Sequence, residues 1–233
     1  TRDPSSAASD VYKRQVKHNE LSIGYDTAVD VATNALDMLQ PTAASHRRVM
    51  ILEVMGRDAG HIALNAGIAG GADVILIPEI QYSIKSIADH IEKLRSKGRN
   101  HALIVVAEAV KKENGKKATV KYVDGEVRLG GIGNYLGDEI YKITDSETRV
   151  TVLGHVQRGA QPTHRDRLIA SAFGVYAVDL IAKKKFNRVV VWKDRGVQDL
   201  MLSQVAGYSK TVQKNDPLIK VAEGLGIYIG ETN

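Results

Sequence analysis

The stretch Val49-Met50-Ile51-Leu52-Glu53-Val54 is the strongest indication of the architecture, because five of these six consecutive residues are apolar. A short apolar run of this kind is typical of a strand buried on both faces of a sheet. Residues 74–77, followed by Pro78, and residues 102–106 have the same character. Strands of this type separated by helix-length segments favour a parallel α/β sheet with helices on both faces.

Helices are predicted before and between these strands. Apolar residues over 28–39 fall at helical spacing, with Asp26 placed to cap the start and Pro41 expected to end the helix. Between the strands, small residues over 58–70 and an amphipathic pattern over 83–96 each indicate a helix. Strand and helix therefore alternate along this half of the chain.

The second half has a less regular pattern. Residues 114–137 are rich in Gly, Lys and short β-prone pieces, which suggests an insertion or a connection between lobes. After this segment, the pattern predicts a strand at 149–153, a helix at 164–182, a strand at 188–192 and a short helix at 216–226. The cluster Gly130-Gly131-Ile132-Gly133 lacks the strand-before, helix-after context of a nucleotide cradle, so we interpret it as a flexible turn.

Composition excludes several classes of protein. The chain has 233 residues, no cysteine, and 32 basic against 27 acidic residues, a net charge of +5. Lack of cysteine removes disulfides and thiolate chemistry and favours a cytoplasmic location. The apolar stretches are too short to cross a bilayer, and the lysine clusters lack the interleaved aromatic residues of single-strand binders. We therefore expect neither a membrane nor a nucleic acid as partner.

Two segments carry arginine beside glycine directly after an apolar run. They are Val54-Met55-Gly56-Arg57 and Leu153-Gly154-His155-Val156-Gln157-Arg158-Gly159. An arginine fork offers paired donors to phosphate oxygens, and glycine lets a ligand approach the backbone. Ligands of parallel sheets bind beyond the carboxyl ends of strands, where Arg57 and Glu108 are expected. A phosphorylated small molecule is the first candidate ligand, and the alternative is ordinary surface arginines beside a buried histidine.

The first 15 residues differ from the rest. They are small, polar and aperiodic, so we expect a disordered or foreign head over 1–15 and one domain over 16–233.

The order and spacing of several motifs resemble the 6-phosphofructokinase family, in its bacterial branch of ATP-using and pyrophosphate-using members. The motifs are Ser45-His46-Arg47-Arg48, Glu53-Val54-Met55-Gly56-Arg57-Asp58-Ala59-Gly60, Ala69-Gly70-Gly71-Ala72, Pro78-Glu79, Thr151-Val152-Leu153-Gly154-His155-Val156-Gln157-Arg158-Gly159 and Asp166-Arg167. The resemblance runs from about Asn19 to the C-terminus. It implies an α/β parallel-sheet sandwich of the phosphofructokinase type.

The resemblance also implies a reaction and a set of residues. The family transfers a phosphoryl group from ATP, or from pyrophosphate in the alternative branch, to the 1-hydroxyl of fructose 6-phosphate. By the resemblance, Met55, Gly56 and Arg57 line the sugar site, and Arg57 also lies near the phosphoryl group in flight. Glu108 would bind sugar hydroxyls. The remaining implied contacts are His155 and Arg158 to the 6-phosphate, and Arg48 and Arg149 to the site of a neighbouring subunit in a homotetramer.

The family's nucleotide loops and catalytic aspartates are expected upstream of Asn19. In their place the chain has Val16-Lys17-His18 and the predicted head. The resemblance therefore implies that the N-terminal nucleotide-binding portion is missing, and with it the ligands for ATP and Mg²⁺. We expect this chain to have little kinase activity alone. A non-catalytic module that binds a sugar phosphate remains an alternative.

Overall fold

The computed structural model describes residues 18–121, 127–205 and 210–231. The predicted head at 1–15 lies outside the described residues. Chain contacts divide the described residues into two compact units, the larger within residues 29–157 and 211–233 and the smaller within residues 1–28 and 158–210.

The larger unit is built on a parallel sheet. Its strands are β1 (Val49–Val54), β2 (Val74–Leu76), β3 (Ala102–Ala107) and β6 (Thr148–Val152), and β4 (Thr119–Lys121) and β5 (Val127–Leu129) form a separate antiparallel pair. Its helices are α1 (Tyr25–His46), which begins in the smaller unit, α2 (His61–Ala69), α3 (Ile84–Ser96), α4 (Ile132–Thr144) and α7 (Pro217–Gly224). The sheet has the order β2-β3-β1-β6, and every neighbouring pair is parallel. The predicted parallel sheet is confirmed.

Helices cover both faces of this sheet. Ile51 pairs in register with Val150, and a side chain at Gly137 of α4 would contact both residues. Leu52 and Ile75 each pair in register with Val105, which places them on the opposite face. Gly67 of α2 lies against Ile75. The two-sided arrangement predicted from the sequence is therefore confirmed.

Helix α1 differs from its prediction at both ends. Asp26 lies inside the first turn rather than at the cap, and Pro41 lies within the helix instead of ending it. A proline in a helix interior costs about 3 kcal/mol, through a lost hydrogen bond and a steric clash. The helix continues because the turn after the proline is well packed: Ala43 is fully buried in one cluster with Met50 and Leu103. Tertiary packing thus outweighs the local penalty.

Helices α2 and α3 follow the sequence prediction more closely. Helix α3 is capped by Ser83, whose hydroxyl accepts from the Ser86 N–H. Helix α2 begins at His61, three residues later than predicted, because the residues before it form a loop closed by the Ala59 N–H donating to the Gly56 carbonyl at 3.3 Å.

The prediction for the segment around the glycine cluster differs most from the structure. Residues 114–137 contain β4, β5 and the start of α4, a helix that was not predicted. The cluster does follow a short strand and open a helix, so its predicted lack of that context is wrong. The buried residues Ile132, Leu136 and Ile140 of α4 are spaced four apart. That spacing is typical of a helix. The helix was not predicted because the glycines were interpreted as a flexible turn.

The smaller unit contains α5 (His164–Ala182), β7 (Arg188–Lys193), β8 (Gly196–Met201) and α6 (Leu202–Val205). Helix α5 and strand β7 agree with the prediction. Strand β8 was missed, because its two-residue turn, Asp194 and Arg195, adopts positive φ angles of 51° and 63°. Such a turn usually carries Asn-Gly or Asp-Gly, and the dipeptide Asp-Arg gives a much weaker hairpin signal.

The C-terminal segment lies along the edge of β2. The Ile75 N–H donates to the Tyr228 carbonyl at 2.8 Å, and the Tyr228 N–H donates to the Asp73 carbonyl at 3.0 Å. Helix α7 precedes this contact and is capped by Asp216. It corresponds to the short helix predicted at 216–226.

Candidate functional site

The carboxyl ends of the parallel strands bring the two predicted segments to one edge of the sheet. Met55, Gly56 and Arg57 follow β1 directly, Glu108 follows β3, and residues 153–157 follow β6. Strands β3 and β6 are the two neighbours of β1 in the sheet. The polar residues predicted at strand ends therefore meet at one place.

Glu108 organises the backbone of the loop after β1. Its Oε1 accepts from the N–H groups of Gly56 at 3.2 Å and Arg57 at 2.8 Å. Arg57 has a φ of 52°, in the left-handed region that costs a non-glycine residue about 1–2 kcal/mol. A side chain at Gly56 would come within 2.6 Å of the Ala59 carbonyl oxygen. The carboxylate thus holds a tight turn in which glycine is required.

Gln157 holds the same loop from the other side. It lies in the 3₁₀ turn Gly154–Arg158 and is only 1% exposed. Its Oε1 accepts from the Met55 N–H at 2.9 Å, and its Nε2 donates to the Met55 carbonyl at 3.2 Å. Gln157 lies within the motif of residues 153–159, and no role for it was predicted from the sequence.

Glu79 fixes the far end of the loop. Its carboxylate accepts from the Gly60 N–H at 3.0 and 3.2 Å and from the Val212 N–H at 2.9 Å. A Cβ on Gly60 would overlap the side chain of Ile77. The loop and the start of α2 are therefore packed directly against the residue that follows β2.

Glu53 is a second carboxylate that sequence reasoning missed. It is buried in β1 and accepts from the N–H groups of Gly131 at 3.1 Å and Gly133 at 2.9 Å. Burial raises its pKa and nearby Glu108 adds to the rise, whereas the two N–H donors oppose it. The acceptor at the start of α4 is thus a side chain of the protein itself, which accounts for the glycine cluster without a nucleotide.

The predicted phosphate ligands His155 and Arg158 lie on the 3₁₀ turn. His155 is exposed and belongs to the larger unit with Met55, Gly56, Arg57 and Glu108. Arg158 is half-buried and belongs to the smaller unit, whose segment 158–210 begins with it.

Arg48 and Arg149 lie at the amino ends of their strands. Arg48 precedes β1, and Arg149 pairs with Met50 near the start of β1. Both form ion pairs with Glu147, at 2.8 Å in the case of Arg48. The hydrogen bond from Arg48 is the main reason that the pKa of Glu147 is lowered. Arg48 is separated from the end of β1 by the length of that strand, about 20 Å, and Arg149, level with Met50, is separated from it by about 13 Å.

The amino ends of β2 and β3 carry another polar group that sequence reasoning did not reveal. Asp73 is buried, accepts from the Leu103 N–H at 2.8 Å and pairs with Arg99 at 3.0 Å. Burial raises the pKa of Asp73, and burial lowers the pKa values of His90 and His101 nearby. No sequence pattern indicates this cluster, because its members come from three separate elements.

In the smaller unit, Asp166 supplies the cap that Asp26 was expected to supply. Its carboxylate is buried and accepts from the N–H groups of Gly24 and Thr27, each at 2.8 Å. Thr163 caps α5 by accepting from the Asp166 N–H, and its own hydroxyl donates to Asp26 at 2.7 Å. The Asp166-Arg167 motif therefore contributes a structural link between the starts of two helices.

Helix α5 also presents an apolar stripe. Leu168, Val175, Val178 and Ile181 are 63–68% exposed, whereas Ile169 and Leu180 are buried. An exposed apolar face of this length is unusual for a helix of a monomeric soluble protein.

Within the three described stretches, no three His, Cys, Asp or Glu side chains are grouped so that they could hold a metal ion. The Mg²⁺ implied by the resemblance therefore does not fit any group of these residues. Among the same residues, no helix combines the length and apolar character needed to cross a membrane.

Comparison with known families decides the classification. The family model described as Phosphofructokinase matches residues 13–181, which is most of the chain. The chain belongs to the phosphofructokinase family. The resemblance drawn from the sequence motifs is confirmed.

Two 6-phosphofructokinases named as ATP-dependent are similar to this chain over most of its length. The ATP-dependent 6-phosphofructokinase 1 of Nostoc sp. is 56% identical over 212 residues, 91% of this chain and 59% of the relative. The enzyme of the same name from Synechocystis sp. is 53% identical, over 91% of this chain and 58% of the relative. The phosphofructokinase chain thus spans about three fifths of the length of these relatives.

Solved structures confirm the fold class. The phosphofructokinase of Saccharomyces cerevisiae matches with a TM-score of 0.72 and 27% identity, over 92% of this chain and 27% of that one. A pyrophosphate-dependent phosphofructokinase from Marinobacter aquaeolei matches with a TM-score of 0.74 and 21% identity, over 94% of this chain and 55% of that one. Because only 21% of the residues are identical, the similarity to the Marinobacter aquaeolei structure concerns the fold alone.

Proposed function

We propose that this phosphofructokinase chain carries the sugar-phosphate site of an ATP-dependent 6-phosphofructokinase. The reaction transfers a phosphoryl group from ATP to the 1-hydroxyl of fructose 6-phosphate and yields fructose 1,6-bisphosphate, a step of glycolysis. The observation that carries the proposal is the 56% identity with a relative named as ATP-dependent. The likeness to a pyrophosphate-dependent enzyme is too distant in sequence to favour pyrophosphate as donor.

The loop after β1 is assigned to the sugar and to the transferring group. Glu108 uses Oε1 to hold the Gly56 and Arg57 backbone, and Oε2 is assigned to a sugar hydroxyl. The guanidinium of Arg57 would stabilise negative charge that develops on the phosphoryl group. Met55 and Gly56 would line the sugar, since Gly56 lets a ligand approach the backbone closely.

His155 and Arg158 are assigned to the 6-phosphate. A dianionic phosphate is well matched by an arginine fork and by an imidazole N–H donor. Their common 3₁₀ turn follows β6, beside the strand that leads to Arg57.

Arg48 and Arg149 are assigned to the site of a neighbouring subunit in a homotetramer. Arg48 and Arg149 lie about 20 Å and about 13 Å from the end of β1, which supports this assignment because neither side chain could span that distance. Glu147, paired with both arginines, would hold them in place.

The domain boundaries follow from the same proposal. Residues 16–233 would be the phosphofructokinase portion that carries the sugar-phosphate site. A cytoplasmic location stays a prediction.

A coupled assay on the full-length protein tests the function. We expect turnover with fructose 6-phosphate and ATP, and little or no turnover from the 233-residue chain alone. Turnover with pyrophosphate and none with ATP would overturn the choice of donor. Calorimetry of the full-length protein with fructose 6-phosphate adds a second test, because binding without turnover on either donor would identify a non-catalytic module instead.

A further inference from the structure

Both ends of the Gln157 amide bond the backbone of one residue. Its acceptor and its donor bond the N–H and the carbonyl of Met55, 102 positions away in sequence. A buried side chain that bonds both the N–H and the carbonyl of another residue fixes the position and the orientation of that residue's backbone. The 3₁₀ turn that carries His155 is thereby joined rigidly to the loop that carries Arg57.

Three consecutive N–H groups of that loop are held by side chains from other strand ends. Gln157 takes the Met55 N–H, and Glu108 takes those of Gly56 and Arg57. The positive φ of Arg57 persists only where surrounding contacts hold it. Removal of one of these supports would let the loop relax toward an unstrained conformation.

Resting on the proposed function, we propose that Gln157 is a positioning residue for phosphoryl transfer. It acts through the Met55 backbone by keeping the guanidinium of Arg57 at a fixed distance from the turn assigned to the 6-phosphate. Phosphoryl transfer depends on such alignment, so a shift of about 1 Å lowers the rate strongly. The expected loss is therefore in kcat more than in KM.

Gln157→Glu provides a readout that a purely structural role would not give. A neutral carboxylic acid reproduces the amide: its carbonyl oxygen accepts from the Met55 N–H and its hydroxyl donates to the Met55 carbonyl. An ionised carboxylate can only accept, so it repels that carbonyl. Burial raises the pKa of a carboxyl at such a position, which brings the protonated form into the range where the enzyme can be assayed.

The experiment measures kcat and KM of full-length wild type, Gln157→Glu and Gln157→Met from about pH 6 to about pH 8.5, the range in which a buried carboxyl can titrate. At about pH 8, we expect kcat of both variants to fall roughly 10- to 100-fold, with a smaller change in KM for fructose 6-phosphate. The ratio of the Gln157→Glu kcat to the wild-type kcat should rise as the pH falls. The Gln157→Met ratio should stay flat, because methionine lacks a titratable group. Gln213→Glu, the same change at an exposed position, is the matched control and should also stay flat.

Thermal unfolding of each variant separates misfolding from misalignment. The proposal is overturned if the Gln157→Glu ratio does not change with pH, or if kcat per folded site in Gln157→Met equals that of the wild type. If either of these outcomes is found while the wild type turns over fructose 6-phosphate, only the proposed role of Gln157 fails. If the wild type turns over fructose 6-phosphate with neither ATP nor pyrophosphate, the proposed function fails as well.

Discussion

The carboxylate of Glu53 accepts a hydrogen bond from the Gly133 N–H at 2.9 Å, in the first turn of α4. Because the pKa of Glu53 is raised, the folded protein holds its proton more tightly than the unfolded chain does. The resulting stabilisation is full below the unfolded pKa of about 4.3 and is lost as the pH rises through the folded pKa. We expect Glu53→Gln to lower the Tm of the full-length protein more at about pH 5 than at about pH 8.

The matched control for this prediction is Glu92→Gln, which changes an exposed carboxylate on α3. Its effect on the Tm should be small at both pH values. Equal Tm deficits of Glu53→Gln at the two pH values would show that the buried carboxyl does not bind its proton in the way described.

Gly60 cannot accommodate a side chain, because a Cβ would overlap Ile77. We expect Gly60→Ala to destabilise the full-length protein by about 1–3 kcal/mol, measured by denaturant unfolding. Gly174 lies in the interior of α5, and a Cβ added there would meet no atom within 4 Å, so Gly174→Ala should stabilise by about 0.5–1 kcal/mol. Similar stability of the two variants would contradict the close packing at the start of α2.

Glu108→Ala removes the acceptor of two loop N–H groups and the assigned partner of the sugar hydroxyl. We expect KM for fructose 6-phosphate to rise roughly 10- to 100-fold in the full-length enzyme. Glu108→Gln keeps one acceptor oxygen for the Gly56 and Arg57 N–H groups and should have a smaller effect. Steady-state kinetics of the two variants at one pH test this order, and an equal loss would argue against a role in holding the loop.

Sites shared between subunits can be tested by complementation. By the proposed assignment, Arg57→Ala should disable the site of its own subunit, whereas Arg149→Ala should impair only the site of a neighbour. If subunits of the two variants assemble at random, about a quarter of the sites combine two intact contributions and should recover normal kinetics. Activity of the co-expressed mixture no greater than that of the separate variants would contradict the assignment of Arg149 to a neighbouring subunit.

The apolar stripe of α5 leads to a prediction for the 233-residue chain itself. Replacement of the exposed residues Val175 and Val178 by lysine should raise its soluble yield and lower its binding of a hydrophobic dye. Ile169→Lys, at a buried position of the same helix, should instead reduce the yield. Size-exclusion chromatography compares the aggregated fraction of the unmodified chain, of the variant with lysine at positions 175 and 178, and of Ile169→Lys. An aggregated fraction that is the same in the unmodified chain and in the variant with two lysines would show that the stripe has no effect on self-association.

Much of the fold was predictable because burial leaves a clear pattern. Strands β1, β2 and β3 are continuous apolar runs, and α5 agreed at both ends with the prediction for 164–182. The errors occurred where long-range contacts override local preference. Pro41 remains helical because Ala43 packs against Met50 and Leu103, which belong to two strands of the sheet.

The site was predictable in part. Arg57 and Glu108 could be placed at strand ends from the order of apolar runs alone. The roles of Gln157, Glu79 and Glu53 could not, because each bonds backbone N–H groups at positions 19 to 133 residues away. Backbone donors leave no signature in residue type, so only the folded structure reveals which side chains they meet.

The contact between Tyr228 and β2 has a consequence for the way the protein is handled. A strand at the margin of a sheet attracts other chains unless something covers its free N–H and carbonyl groups. Here Tyr228 acts as that cover for Ile75 and Asp73. Deletions that remove the segment around Tyr228 would uncover the margin and invite fibril-like stacking of molecules.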